Sequence, residues 1–261
     1  MDAYIGFAKL YDLFMDNIDY DAWGKYLSTL LQEYGIKNGI LLDLGCGTGT
    51  ITEYLADKGY DMIGIDSSYD MLNAAQEKKY ASGHDILYLN QDMREFELYG
   101  TVAAAISTCD SLNYITEYDE LIQVFRLVNN YLDPDGIFIF DLNTEYKFKN
   151  IENNTIAENR EEGSFIWENT FYEKEHINEY ALTVFAPCED GRYEKYEEFH
   201  YERVYSMEEI KTALAKAGMT FVTAYDAFTH RPATENDERI YIIAREHTTS
   251  GLKKQIADAL S

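Results

Sequence analysis

A glycine-rich segment between an apolar run and a helical pattern constrains this chain most. Ile40–Leu44 is a continuous apolar run broken only by Asp43, which marks a buried strand. Leu42-Asp43-Leu44-Gly45-Cys46-Gly47-Thr48-Gly49-Thr50 then places glycines at 45, 47 and 49, and residues 50–58 have helical character. Glycine in such a turn lets the backbone bend tightly and admits a ligand against the main chain. The helix start adds orphan N–H donors. Asp66 follows about twenty residues after the first glycine, where a carboxylate can accept both hydroxyls of a ribose. Together these features predict an adenosine-containing small molecule across the carboxyl ends of the first strands.

The rest of residues 40–142 alternates in the same way. Strands are expected at 61–65, 86–89, 102–107 and 137–142, with helices over 69–81 and 117–131. Ser67 or Ser68 can cap the first of these helices, and Asp133-Pro134-Asp135-Gly136 is a turn sequence that stops the second. Strands separated by helices imply right-handed crossovers and a parallel sheet covered on both faces. The character changes after about residue 145. Residues 150–205 carry fourteen acidic and five basic residues with aromatics interleaved, and Asp190-Gly191 is a hairpin turn. That pattern predicts antiparallel strands. Ser206-Met207-Glu208-Glu209 is a capping box that opens a helix over 207–217, and two more strands follow at 221–227 and 240–245. The expected architecture is α/β. A Rossmann-like domain of residues 1–145 and 206–261 holds a parallel sheet with an antiparallel last strand. Residues 1–35 form a helical lid, residues 146–205 an inserted antiparallel β subdomain covering the active site, and residues 246–261 a short terminal helix.

Charge narrows the partners. Asp plus Glu outnumber Lys plus Arg by 47 to 22, for a formal net charge of −25. Nucleic-acid binding needs cations that displace phosphate counterions, and an anionic membrane surface makes the same demand. Both partners are disfavoured, and a small-molecule substrate is expected. The three cysteines, Cys46, Cys109 and Cys188, are widely spaced and include no CxxC, so neither a disulfide framework nor a zinc site is expected. The absence of a signal-peptide pattern or a long apolar run points to a cytoplasmic protein, monomeric or homodimeric.

Two ligands fit the glycine loop, and spacing separates them. A dinucleotide loop has the pattern GxGxxG, but the third position here is Thr50, and Asp43 is ill placed beside a pyrophosphate. A cationic sulfonium tolerates that carboxylate. Asp43-Leu44-Gly45-Cys46-Gly47-Thr48-Gly49 resembles the first motif of class I S-adenosylmethionine-dependent methyltransferases. Gly64-Ile65-Asp66-Ser67-Ser68-Tyr69-Asp70-Met71-Leu72 resembles the second, and Asn90-Gln91-Asp92-Met93-Arg94 the third. The resemblance covers residues 37–142 well and 206–245 more loosely. It is nearest to small-molecule members such as the sugar N-methyltransferases and glycine N-methyltransferase-like enzymes. It implies S-adenosylmethionine as cofactor, S-adenosylhomocysteine as product, and no metal. By the same resemblance Gly45, Gly47 and Gly49 line the methionine moiety, Asp66 binds the ribose, Met71 packs on the adenine, and Asp92 reaches the adenine amino group beside the Met93 backbone. Asp43, Cys46, Ser67 and Cys109 complete the expected cofactor shell. A nicotinamide-dependent oxidoreductase and a non-catalytic S-adenosylmethionine-binding protein stand as alternatives.

Carboxyl ends of parallel strands face the ligand crevice. That rule makes Asp110 a catalytic candidate and Asn113, Tyr114, Asp141 and Asn143 substrate-binding candidates. His200, between Phe199 and Tyr201 on the last inserted strand, is a candidate base. Tyr11, beside Asp12, is a lid residue in similar enzymes and a candidate for both cofactor and catalysis, with Trp23 behind it. The acidic, aromatic insertion suits a cationic acceptor such as an amine.

Overall fold

The structure, a computed structural model, describes residues 19–151, 154–188 and 190–247. Tyr11, most of the expected lid and nearly all of the expected terminal helix lie outside them. After α1 (Tyr20–Glu33), the chain alternates β1 (Ile40–Leu44), α2 (Thr50–Asp57), β2 (Asp61–Asp66), α3 (Tyr69–Ser82) and β3 (Leu87–Asn90). It continues through β4 (Val102–Ser107), a 3₁₀ turn at Ser111–Tyr114, α4 (Tyr118–Tyr131) and β5 (Leu132–Asn143). A short α5 (Glu145–Asn150) leads to β6 (Thr155–Arg160), β7 (Gly163–Tyr172), β8 (Ile177–Pro187) and β9 (Tyr193–Arg203). The chain then returns through α6 (Met207–Lys216), β10 (Met219–Asp226) and β11 (Arg239–Glu246).

Seven strands form one sheet in the order β10-β11-β5-β4-β1-β2-β3. β1 to β5 pair in parallel, and β11 runs antiparallel to both β5 and β10. Strand residues alternate between two cores, as a period of two requires. Leu42, Ala105, Phe138 and Ile242 pack with Phe125 of α4 and Leu214 of α6. Leu41, Ala104, Ile139 and Ile243 pack on the other face with Leu30 of α1 and Leu55 of α2. Strands apolar on both faces thus become a sheet covered on both sides.

The expected turn at Asp133-Pro134-Asp135-Gly136 lies inside β5. Val102 pairs with Leu132 and Ala104 with Ile137, so the intervening residues bulge out, with Asp135 left-handed at φ 62°. Proline cannot donate to a ladder, and a bulge removes that demand. The second sheet, β6-β7-β8-β9, is wholly antiparallel. Caps follow sequence logic. The Ser68 side chain accepts from the Met71 N–H at 3.3 Å, and Ser206 and Glu209 form a reciprocal capping box.

Candidate active site

The loop between β1 and α2 is fixed from beneath. Gly45 and Cys46 both donate their N–H to the Ile65 carbonyl, at 2.8 and 2.9 Å. Gly47 donates its N–H to Asp66 Oδ2 and Ser68 donates to Asp66 Oδ1, each at 2.8 Å. The Asp66 carboxylate is therefore held in one orientation, and each oxygen retains a second lone pair. Burial raises its pKa, and the two N–H donors pull against that rise. Gly47 is left-handed at φ 54°, and a Cβ built there meets nothing within 4 Å. The backbone at that point borders open space.

That space is a cavity of about 500 Å³ between the loop and the second sheet. Asp43, Gly45, Cys46, Gly47, Asp66, Ser67, Met71, Asp92, Met93 and Cys109 all line it, as do Tyr114 and His200. Asp43 is buried and accepts from the Thr52 hydroxyl at 2.6 Å. Burial pushes its carboxyl up to about 7, against the lowering effect of that hydroxyl. Asp92 is held by Arg94, which keeps it below the usual carboxylate range.

Six expected site residues do not line the cavity. At Gly49 (φ 75°) a Cβ would stand 2.4 Å from the Tyr88 hydroxyl, so glycine is required there by packing against β3. Asp110 and Asp141 instead flank Arg239 of β11, at 2.5 and 2.7 Å, and Asp141 also accepts the N–H groups of Cys109 and Asp110. Cys109 and Asp110 are both left-handed, at φ 58° and 55°. The strand-end rule locates a residue but not its side-chain direction, and this double turn leaves Cys109 on the cavity and Asp110 off it. Asn113 and Asn143 are buried fasteners. Asn113 Oδ1 accepts the Asn143 N–H, Asn113 Nδ2 donates to the Arg203 carbonyl, and Asn143 Nδ2 donates to Glu202. They join β5 to β9. Trp23 is also core, with its ring stacked on Phe228 and under the Arg239 guanidinium.

The far wall was largely missed by sequence reasoning. Phe165 and Trp167 of β7, Tyr180 and Leu182 of β8, and Glu198 and His200 of β9 all line the cavity. Each pair is spaced by two, and Trp167, Leu182 and Glu198 stand in one cross-strand row. Glu198 Oε2 lies 3.1 Å from His200 Nε2, and the Tyr114 ring meets the His200 ring edge-on at 5.8 Å. The i,i+2 spacing was the available signal. Tyr20, at the start of α1, also reaches the cavity. Among the described residues, no group of three or more His, Cys, Asp or Glu is placed to hold a metal ion.

Residues 41–136 match the family model of a methyltransferase domain. A Geobacillus protein with a provisional methyltransferase name is 35% identical over 94% of this chain and all of its own length. This chain belongs to the class I S-adenosylmethionine-dependent methyltransferases. The methyltransferase is also 34% identical to the provisionally named YqeM of Bacillus subtilis, over 94% of this chain and 98% of that one. The crystal structure of an S-adenosylmethionine-dependent methyltransferase from Clostridium acetobutylicum superposes with a TM-score of 0.83 at 28% identity, covering 93% of this chain and 98% of that one. The cavity of the methyltransferase fits the cofactor on its own geometry. It offers open space over Gly47, an oriented carboxylate at Asp66, and a thioether at Met71 beside them. Among the described residues, no helix of the methyltransferase is long and apolar enough to cross a membrane.

Proposed function

We propose that this methyltransferase transfers a methyl group from S-adenosylmethionine to the nitrogen of a small-molecule amine, with His200 as the proton acceptor. One observation carries the reading. A single cavity has the glycine loop and Asp66 on one wall and the Glu198–His200 pair on the other. A dinucleotide-linked redox reaction has no comparable support.

When bound, the cofactor supplies an electrophilic methyl group on a positively charged sulfur. The chain's residues do the rest. Gly45, Cys46 and Gly47 hold the amino-acid tail against the loop backbone, and Asp66 accepts the ribose hydroxyls. Met71 covers the adenine, with Asp92 and Met93 at its edge. Asp43 supplies a carboxylate below the cationic region. Tyr11 keeps its proposed lid role from outside the described residues. Holding two reactants in line can contribute about 7–11 kcal/mol to lowering the barrier. Trp167, Leu182 and Phe165 present apolar walls that exclude water.

A protonated amine has no lone pair to offer, so a base is needed. The tautomer in which His200 donates Nε2–H to Glu198 leaves the ring lone pair on Nδ1. Amine chemistry has a precedent among similar proteins. The dTDP-3-amino-3,4,6-trideoxy-alpha-D-glucopyranose N,N-dimethyltransferase of Streptomyces venezuelae is 29% identical over 51% of this chain and 56% of its own length.

The test is calorimetry with S-adenosylhomocysteine, followed by turnover with an amine panel read by mass. We expect cofactor binding and methylated amine. His200→Gln should lower kcat by about 10²–10⁴-fold and leave S-adenosylhomocysteine affinity intact. Cofactor binding without transfer to any amine would overturn the acceptor assignment.

A further inference from the structure

The wall facing the glycine loop selects a chemical class of acceptor. Phe165 and Leu182 pack with Met71, on the nucleoside side. Trp167, Tyr180, Glu198 and His200 come from neighbouring strand positions, and the His200 ring meets that of Tyr114 in the 3₁₀ turn after β4. The Trp167 and Tyr180 rings touch edge to face, with centroids 5.1 Å apart at 87°. Such rings form a rigid, flat-sided recess. Its carboxylate and its imidazole are those of Glu198 and His200, whose side chains are 13% and 29% exposed.

The charge of the whole lining points the same way. Among the described residues that line the cavity, Arg94 is the one Lys or Arg, and it is committed to Asp92 and Glu120. Asp43, Asp66, Asp70, Asp92 and Glu198 supply carboxyl groups. A diphosphate brings two further negative charges and needs cations or free N–H donors. The loop donors at Gly45, Cys46 and Gly47 are already spent on Ile65 and Asp66.

Resting on the function proposed above, we infer that the acceptor is an amine carried on a flat apolar body, received as an ammonium by Glu198 between Trp167, Tyr180 and Tyr114, and that nucleotide-diphosphate-linked amino sugars are refused. The ammonium docks on the carboxylate with its apolar body against the rings, which also attract the cation. His200 takes one proton from the ammonium. The freed nitrogen lone pair forms the N–CH₃ bond as the S–CH₃ bond breaks, and that bond's electron pair stays on sulfur. The products are a methylated ammonium, a neutral thioether and a protonated imidazole. Glu198 is a specificity-determining residue that also orients the base.

The experiment is titration calorimetry on enzyme saturated with S-adenosylhomocysteine. The probes are phenethylamine, its uncharged counterpart 2-phenylethanol, and a thymidine-diphosphate-linked amino sugar. Phenethylamine should bind, 2-phenylethanol should bind at least about tenfold more weakly, and the nucleotide sugar should give no heat. Glu198→Gln keeps the shape and removes the charge. It should weaken phenethylamine about tenfold and raise its KM, with S-adenosylhomocysteine affinity unchanged. Binding of the nucleotide sugar, equal binding of amine and alcohol, or binding of none of the three overturns the inference and leaves the cofactor assignment standing. Failure of S-adenosylhomocysteine itself to bind overturns the function proposed above.

Discussion

Two glycines of one loop have different reasons to be glycine. Gly47 borders the cavity, whereas Gly49 is pressed against Tyr88. Gly49→Ala must displace Tyr88 as well as hold a left-handed backbone, so denaturant unfolding should show a loss of about 1–3 kcal/mol. Gly47→Ala carries only the backbone strain, of about 1–2 kcal/mol, but places a methyl group in the cavity on the path proposed for the cofactor. It should weaken S-adenosylhomocysteine far more than Gly49→Ala does, which paired calorimetry of the two variants checks. Asp43 makes a separate prediction through pH. Burial raises its folded pKa from the ordinary 3.8 to about 7. The folded state therefore binds this proton more tightly than the unfolded chain. The contribution to stability is fully present below the ordinary value and is lost as pH rises through about 7. The apo enzyme should melt lower at pH 8 than at pH 6, and Asp43→Asn should reduce that difference. Asp66, Asp141 and Glu202 shift in the same direction, so part of the slope persists in the variant.

At the level of elements, the site depends on how β11 is tied to β4 and β5. Arg239 reaches from β11 to Asp110 and Asp141, and its side chain is 16% exposed. Arg239→Leu would strand two carboxylates in the interior. Breaking a buried pair from one side costs about 3–5 kcal/mol, and chemical denaturation should show a loss of that order. Loss of below about 1 kcal/mol would mean that water reaches the cluster. The same elements show what the sequence could and could not disclose. β1, β2 and their loop were legible because glycine spacing, an apolar run and a following acid all report one local geometry. The centre of the seven-stranded sheet was legible because β1, β4, β5 and β11 are largely apolar and buried on both faces. β9 was not. By hydropathy Phe199 and Tyr201 should turn inward and His200 outward. They are 59% and 46% exposed, and His200 with Glu198 faces the cavity. Pairing decides this, because His200 stands opposite Tyr180 and Glu198 opposite Leu182, both buried. A one-residue slip exchanges the faces of a strand, and register is a long-range property. Asp110 and Asp141 were misplaced for a related reason, since their partner Arg239 is remote in sequence.

Across the whole molecule, a formal charge of −25 acts on stability and on substrate capture with opposite consequences. Self-repulsion destabilises the compact state, and the same field concentrates a cationic substrate near the surface. Salt screens both, because the Debye length falls from about 30 Å at 0.01 M to about 10 Å at 0.1 M. The melting temperature should therefore rise with added sodium chloride over that range. The KM for phenethylamine should rise as well, with kcat unchanged, because screening weakens capture and not the in-line geometry at the sulfur. The charge of the acceptor separates this from a general salt effect on the fold. For an acceptor without charge, KM should stay flat while the melting temperature still climbs. A KM for the amine that ignores salt would confine its recognition to the Glu198 contact, within a Debye length and shielded by Trp167 and Tyr180.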